Sequence, residues 1–165
     1  MTVRQILLWP DKRLSTPADP VGGVNDGVRT VWTDMIDTMD AMPGVGLAAP
    51  QIGSMQALAV VDASDERGQA IRMADPDIVW ASDETKPWDE ASPCLPGIAA
   101  KITRPDRVRV AFTDEGGQRR EQEFVGLWSV SVQHQIDHLA GRLFTDCLSR
   151  TKRQMLLKKV RKARA

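Results

Sequence analysis

Two histidines that lie four positions apart are the residues of this sequence best suited to chemistry. His134 and His138, in the stretch SVQHQIDHLAG, are the only histidines of the chain. Positions i and i+4 share one face of a helix, so both imidazoles can point at one metal ion. In the related zinc motif a glutamate follows the first histidine as general base, but here that residue is Gln135, an amide. The spacing indicates either a metal site that has lost its proton carrier or two buried histidines that only satisfy core hydrogen bonds.

A third ligand has to come from another segment, and Cys94 in the loop EASPCLPG is the first candidate. A thiolate and two imidazoles leave a fourth position for water, which is typical of a catalytic zinc site. Cys94 can equally be a small buried hydrophobe. Cys147 is a competing candidate, but it follows the helix closely and is expected to pack in the core. Asp137 can orient the imidazole of His138, or it can be an ordinary exposed acid.

The segment GVGLAAPQIG (44–53) is rich in small residues and can bring its backbone close to a ligand. Gly44, Val45, Gly46 and Leu47 are therefore candidate substrate-binding residues. Gln51 carries an amide that can donate a hydrogen bond to a developing oxyanion. A packed turn between a helix and a strand is the alternative interpretation of the same segment.

Three helices and several strands must position these residues. Apolar residues spaced three and four apart predict helices, whereas short β-branched or alternating runs predict strands. The predicted helices are 25–43, capped by Asn25 or Asp26 and ended by Pro43-Gly44, then 127–141, ended by Gly141, and a last one that begins near Ser149. The predicted strands are 57–63, 77–82 and a hairpin of 107–114 with 118–126. This order predicts one α+β domain over 1–165, with a mostly antiparallel sheet packed around the metal-carrying helix and with a C-terminal helix.

The composition is that of an ordinary globular protein. The 165 residues are 42% apolar and 27% charged, and no apolar run approaches the roughly 20 residues that cross a bilayer. The N-terminus lacks the apolar segment and cleavage site of a signal peptide. Two cysteines far apart in sequence fit a cytoplasmic protein with reduced thiols and no membrane partner.

The C-terminal segment 150–165 is strongly basic. It holds eight Lys and Arg and no acid, whereas the rest of the chain carries 14 basic and 22 acidic side chains. A basic helix on an acidic body can bind a polyanion such as RNA. A solvated helix face, or a tail that neutralises its own body, explains the same pattern.

Three segments together resemble the peptide deformylase family. GVGLAAPQ agrees with that family's Gly-x-Gly-Leu-Ala-Ala-x-Gln at every fixed position, and HQIDH stands where the family has His-Glu-x-Asp-His. SPCLP stands where the family has Glu-Gly-Cys-Leu-Ser, with Cys94 and Leu95 in agreement. The N-terminal stretch WPDKRLSTPADPV is also similar, so the resemblance covers nearly the whole chain.

The resemblance implies a metal ion held by Cys94, His134 and His138, ferrous iron in cells and zinc or nickel in some preparations. It also implies hydrolysis of the formyl group from the N-terminal formyl-methionine of nascent proteins. In that reaction Gln51 and the backbone N–H of Leu95 would stabilise the oxyanion. The family's basic C-terminal helix docks on the ribosome in some members, which implies the same partner for residues 150–165.

Two departures from the family pattern weaken the expected activity. Gln135 occupies the position of the family's catalytic glutamate, and a positioned general acid or base typically contributes ~10²–10⁴-fold. In the cysteine loop, Ser92, Pro93 and Pro96 replace the family's Glu, Gly and Ser, and the segment that follows Cys94 is shorter by about two residues. We therefore expect an intact metal site with weak or absent deformylation. The alternative is an inactive paralogue that binds metal and either N-terminal peptides or the ribosome.

Overall fold

The computed structural model describes residues 2–164 of the chain, which form three α-helices, seven strands and three short 3-10 helices. The helices are α1 (Asp26–Ala41), α2 (Leu127–Leu139) and α3 (Arg150–Arg164). The strands are β1 (Gly46–Ala48), β2 (Leu58–Val61), β3 (Ile71–Ala81), β4 (Thr85–Glu90), β5 (Ala100–Pro105), β6 (Arg107–Thr113) and β7 (Arg119–Val125). The 3-10 helices are Lys12–Ser15, Ala49–Ile52 and Phe144–Cys147.

All strand pairs of the two sheets are antiparallel. The larger sheet has the order β1-β2-β3-β6-β7, and β4 and β5 form a separate two-stranded ladder. Helix α2 contacts β1, β2 and β7 of the larger sheet and also β5 of the ladder. The α+β class, the mostly antiparallel sheet around α2 and the C-terminal helix are thus confirmed.

The first helix follows its sequence signals closely. Asn25 is its N-cap, and its Oδ1 accepts a hydrogen bond from the backbone N–H of Val28 at 2.9 Å. Trp32, Met35 and Met39 lie fully buried on one face and pack against β2. The helix ends at Ala41, two residues before Pro43, and the chain then passes through Gly44 into the edge strand β1.

The hairpin of β6 and β7 leads directly into α2. Asp114 closes its turn, because its Oδ1 accepts hydrogen bonds from the N–H groups of Gly116 and Gln118 at 3.0 Å. After β7, Gly126 takes φ +64, a left-handed conformation that favours glycine. This bend turns the chain from the edge strand into the helix that carries both histidines.

The sequence did not predict β1, β4 or β5, and it placed the start of β3 too late. Strand β4 is mostly exposed and contains Pro87, whereas β5 directs the charged Arg104 inward, so neither gives a clean apolar alternation. Strand β3 begins at Ile71 and passes through a register shift beside Asp75, whose φ is +49. That irregularity hid the first half of the strand.

Helix α3 is seated on the body of the protein. Leu156, Leu157 and Val160 are buried in a cluster that also contains Trp9 and Phe144. The helix is continuous from Arg150 to Arg164, and its start agrees with the position near Ser149 that the sequence predicts. Among the helices of residues 2–164, none is long and apolar enough to cross a membrane.

Candidate functional site

A cavity of about 260 Å³ opens between the segment that leads into β1, the loop after β4 and one face of α2. Its wall is largely apolar, with polar groups from Gln51, Glu90 and α2. The lining residues are Met42, Pro43, Gly44, Val45, Gly46, Gln51, Asp89, Glu90, Ala91, Pro93, Leu127, Val130, Ser131, His134 and Gln135. The cavity therefore combines the two segments that the sequence singled out.

The two histidines lie in contact in the C-terminal half of α2. Their Nε2 atoms lie 3.1 Å apart, and Nδ1 of His134 lies 2.9 Å from Oε1 of Glu90. A neutral His134 donates from Nδ1 to this carboxylate, so its Nε2 accepts a hydrogen bond from Nε2–H of His138. Within residues 2–164, Nδ1 of His138 is buried and has no hydrogen-bond partner. Burial holds the pKa of His138 well below its usual range, and the charge of Arg104 lowers it further.

A buried ion-pair network holds Glu90 in place. Arg104 donates from Nε and Nη2 to its two carboxylate oxygens at 2.5 and 2.9 Å, and from Nη1 to Asp137 at 2.9 Å. Burial alone would raise the pKa of Glu90, but the hydrogen bonds from His134 and Arg104 outweigh it and lower that pKa. Asp137 also pairs with Arg142 at 3.0 Å, so it supports Arg104 and does not orient His138.

Gln135 lies in the cavity wall against β1. A Cβ added to Gly46 would come within 2.5 Å of Nε2 of Gln135 and of Oγ of Ser131. Glycine at position 46 is therefore what lets α2 approach this strand. Ser131 donates to the backbone carbonyl of Val45 at 2.9 Å, whereas Oε1 of Gln135 is buried without a partner in residues 2–164.

Gln51 lies at the cavity as expected, but both ends of its amide have partners. Its Oε1 accepts from the backbone N–H of Ala48 at 2.9 Å. Its Nε2 donates to Sγ of Cys94 at 3.4 Å and approaches Oγ of Ser92 at 3.5 Å. The amide thus ties the loop after β4 to the segment after β1.

The structure does not bring Cys94 into the cavity. The thiol is fully buried in an apolar cluster with Leu14, Ile98 and Phe144, and Cys94, like Ser92 and His138, lies behind the residues that line the cavity. Burial raises the pKa of this thiol more than the hydrogen bonds from Gln51 and Ser92 lower it.

Leu95 and Leu47 also differ from their expected roles. The backbone N–H of Leu95 donates to the carbonyl of Ser92 at 3.0 Å, so it is not free to stabilise an oxyanion. Leu47 is fully buried and packs with Trp32 beneath the sheet, away from the cavity. Cys147 is exposed at the end of a 3-10 helix, so the prediction that it packs in the core was wrong.

The residues present do not fit the expected three-ligand metal site. The 3.1 Å between the two Nε2 atoms of His134 and His138 is compatible with two ligands of one ion at ~2.0–2.1 Å. However, among residues 2–164 no three His, Cys, Asp or Glu side chains form a group that could hold a metal ion. Glu90 contacts the outer nitrogen of His134 and is held by Arg104, so it does not supply the missing ligand.

The sequence analysis identified several residues that line the cavity but not the buried polar residues that hold them in place. Gly44, Val45, Gly46, Gln51 and Gln135 line one cavity together with His134, and their roles in substrate binding and catalysis stay predictions. The contributions of Glu90, Arg104 and Ser131 were missed. Glu90 could have been identified from the sequence, because the family motif in this loop begins with glutamate.

The fold and the site define an α+β domain with a two-histidine helix beside a small, largely apolar cavity. Comparison with known proteins gives the family. The sequence model of polypeptide deformylase matches residues 3–154, and the chain belongs to this family. Members of the family remove N-terminal formyl groups from nascent chains and depend on a metal ion.

Relatives and solved structures agree with this assignment. The chain is 41% identical to a peptide deformylase of Methylocella silvestris, over 99% of this chain and 86% of that protein. It is 40% identical to peptide deformylase 1 of Burkholderia multivorans, over 98% and 90%. The crystal structure of peptide deformylase from Ehrlichia chaffeensis superposes with a TM-score of 0.93 at 32% identity, over 99% and 97% of the two chains. The enzyme from Legionella pneumophila gives 0.92 at 37% identity, over 99% and 96%.

Proposed function

We propose that this member of the family binds the N-terminal segment of a peptide in its cavity and does not remove the formyl group. The observation that carries the proposal is Gln135, which lines an open cavity at the place of the family's proton carrier. An amide holds no titratable proton, so it cannot take a proton from water and pass it to the leaving amine. The binding surface is retained while the group that moves the proton is absent.

Of the two oxyanion donors of the expected reaction, Gln51 remains at the cavity, but the backbone donor of the loop is missing. Leu95 uses its N–H within the loop, and Pro93, which lines the cavity, has no N–H to offer. Removal of one such donor typically costs ~10²–10³ in rate. An iron, zinc or nickel ion is not part of this proposal, because Cys94 does not join the two histidines.

The cavity suits an apolar side chain followed by an extended backbone. Met42, Val45, Leu127 and Val130 supply apolar wall, and β1 is an edge strand whose free side faces this region. An edge strand offers unpaired backbone groups to an added peptide. N-terminal peptides of nascent proteins remain the proposed partners, with action in the cytoplasm.

A binding experiment tests this function. A formyl-Met tripeptide and its free-amine counterpart are titrated into the full chain by calorimetry, and release of free amine is followed in parallel. Actinonin, which a solved Ehrlichia chaffeensis peptide deformylase binds, serves as a third probe. We expect saturable binding of at least one peptide with no detectable turnover.

Two substituted chains sharpen this test. Val45→Trp should fill the cavity mouth and abolish binding, whereas Val79→Trp, at another exposed valine, should leave binding unchanged. Peptides that fail to bind would contradict the binding role. Hydrolysis at ~10 s⁻¹, an ordinary enzyme rate, would contradict the loss of catalysis.

A second proposed partner is the ribosome, through the exposed face of α3. The apolar face of this helix is buried, and Lys152, Lys158, Lys159 and Lys162 are exposed, with no ion pair to an acid within residues 2–164. A face of unpaired lysines releases counterions on binding to RNA, so its affinity falls steeply with salt. This arrangement favours a partner outside the chain over neutralisation of its own body.

The ribosome proposal needs a charge substitution, because deletion of α3 would remove Leu156 and Leu157 from the core. Lys158→Glu with Lys159→Glu should abolish salt-sensitive co-sedimentation with ribosomes while the thermal unfolding midpoint stays unchanged. The control pair Arg107→Glu and Arg109→Glu alters exposed basic residues on β6 and should keep binding. Equal loss in both variants would reveal a general charge effect and would contradict a specific role of α3.

A further inference from the structure

The loop after β4 can be matched to the family motif Glu-Gly-Cys-Leu-Ser in two registers. Anchoring on the cysteine places Cys94 and Leu95 in agreement, with a following segment that is too short by about two residues. Anchoring on the glutamate makes Glu90 the first motif residue. The cysteine position then falls on Ser92, the leucine on Pro93 and the serine on Cys94. Because Ser92 lies two residues before Cys94, the segment that follows the ligand position is two residues longer in this register, which is the length that the family pattern requires.

Three-dimensional contacts favour the glutamate anchor. Glu90 ends β4, is 5% exposed and accepts hydrogen bonds from both His134 and Arg104. A carboxylate on the outer nitrogen of a histidine is the usual partner that orients a metal ligand. Glu90 therefore fixes where this loop meets α2, whereas within residues 2–164 the hydrogen bonds of Cys94 go to Gln51, Ser92 and Trp9 and not to either histidine.

Which loop residues face the histidines then follows from the chain path. Ala91 and Pro93 line the cavity together with His134. Ser92 lies between them, is 5% exposed and directs its Oγ to within 3.5 Å of Nε2 of Gln51, itself a cavity residue. Cys94 lies beyond this turn, where its carbonyl accepts from the N–H of Trp9 at 2.9 Å and its side chain packs in the apolar cluster of Trp9 and Phe144. Its Sγ also lies 3.4 Å from Nε2 of Gln51, so the contact with Gln51 is common to both residues, and the bond between Glu90 and His134 distinguishes the two registers.

We propose that position 92, not position 94, is where this fold presents its third metal ligand, and that Ser92 there has cost the chain its metal ion. Protein zinc sites use cysteine, histidine, aspartate or glutamate, and a neutral serine hydroxyl is not among these donors. His134 and His138 remain as a pair that hydrogen-bonds directly across 3.1 Å. This inference concerns the metal alone, and it holds whether or not peptides bind in the cavity.

Cobalt titration of the full chain tests the proposal, because a thiolate bound to Co²⁺ gives a charge-transfer absorption band. The wild type and Cys94→Ser should bind Co²⁺ with the same weak affinity and show no band. Ser92→Cys should gain the band and bind at least ~10²-fold more tightly, since the partners of ligands alone are worth 10–100-fold. Adding His134→Ala to Ser92→Cys should remove both the band and the tighter binding. Adding Cys147→Ser to Ser92→Cys should change neither the band nor the affinity.

Each contrary outcome overturns a defined part of the inference. Stoichiometric Co²⁺ in the wild type, with a band that Cys94→Ser abolishes, would make Cys94 the ligand. A folded Ser92→Cys chain without the band would show that position 92 does not face the histidines. Should Ser92→Cys fail to fold, the comparison of wild type with Cys94→Ser still decides the role of Cys94. None of these results requires turnover, so they are independent of the peptide-binding test.

Discussion

Gln135→Glu alone is expected to leave hydrolysis of a formyl-Met peptide undetectable, whereas Ser92→Cys, Pro93→Leu and Gln135→Glu combined are expected to raise it by at least ~10⁴-fold. The glutamate by itself supplies a proton carrier beside two histidines that lack a third ligand. It also leaves the loop without a free N–H, because position 93 is proline and Leu95 donates to Ser92. A proton carrier contributes ~10²–10⁴ and an oxyanion donor ~10²–10³.

Initial rates of amine release with saturating metal check this prediction for the wild type, the single variants and the combined one. Groups that act as a unit are strongly non-additive, so no single replacement should recover more than a small part of the gain. Cys94→Ser added to the combined variant is the matched control and should keep its rate. A gain of several decades from Gln135→Glu alone would contradict the prediction and would mean that the rest of the site is already complete.

The sequence was most informative where function depends on one helix and one local segment. The four-residue spacing of His134 and His138 defines a shared helical face, and the structure brings the two Nε2 atoms together. The GVGLAAPQ segment likewise reached the cavity, because Gly46 allows α2 to pack closely on β1. Such local patterns are fixed by backbone geometry, which the sequence expresses directly.

The cysteine loop could not be placed from the sequence because its register is set by a distant contact. The identities at Cys94 and Leu95 favour the alignment anchored on the cysteine, but they do not indicate which residue faces α2. The hydrogen bond between Glu90 and His134 spans 44 positions and decides the question. The alignment that rests on local sequence identity differs from the one that rests on tertiary contacts. Only the tertiary contacts report where a side chain points.

Leu47 illustrates the same limit within a correctly identified segment. Successive side chains of a strand point to opposite faces of the sheet. Gly46 therefore faces α2 and the cavity, while Leu47 faces α1 and packs with Trp32. Read as a loop, the segment gives no reason to separate the two residues. The alternation separates Gly46 from Leu47 because β1 is an edge strand paired with β2.

Arg104→Met is expected to lower the free energy of unfolding by ~3–5 kcal/mol, the range found when one partner of a buried ion pair is removed. Arg104 is 6% exposed and Glu90 is 5% exposed, so the carboxylate would be left charged in the interior without its main partner. Urea unfolding followed by tryptophan fluorescence measures the change. Arg142→Ala is the control, because its exposed bond to Asp137 should contribute only ~0–1 kcal/mol.

The double substitution Arg104→Met with Glu90→Met separates the charge from the packing. When both partners become apolar at similar volume, the desolvation cost disappears with the attraction, and stability can return to near its original value. Asp137 keeps Arg142 as a partner, so no second carboxylate is stranded. If the double variant is as unstable as Arg104→Met, the network stabilises the fold through its hydrogen bonds to α2. If it recovers, Glu90 serves to hold His134 in place and contributes little to stability.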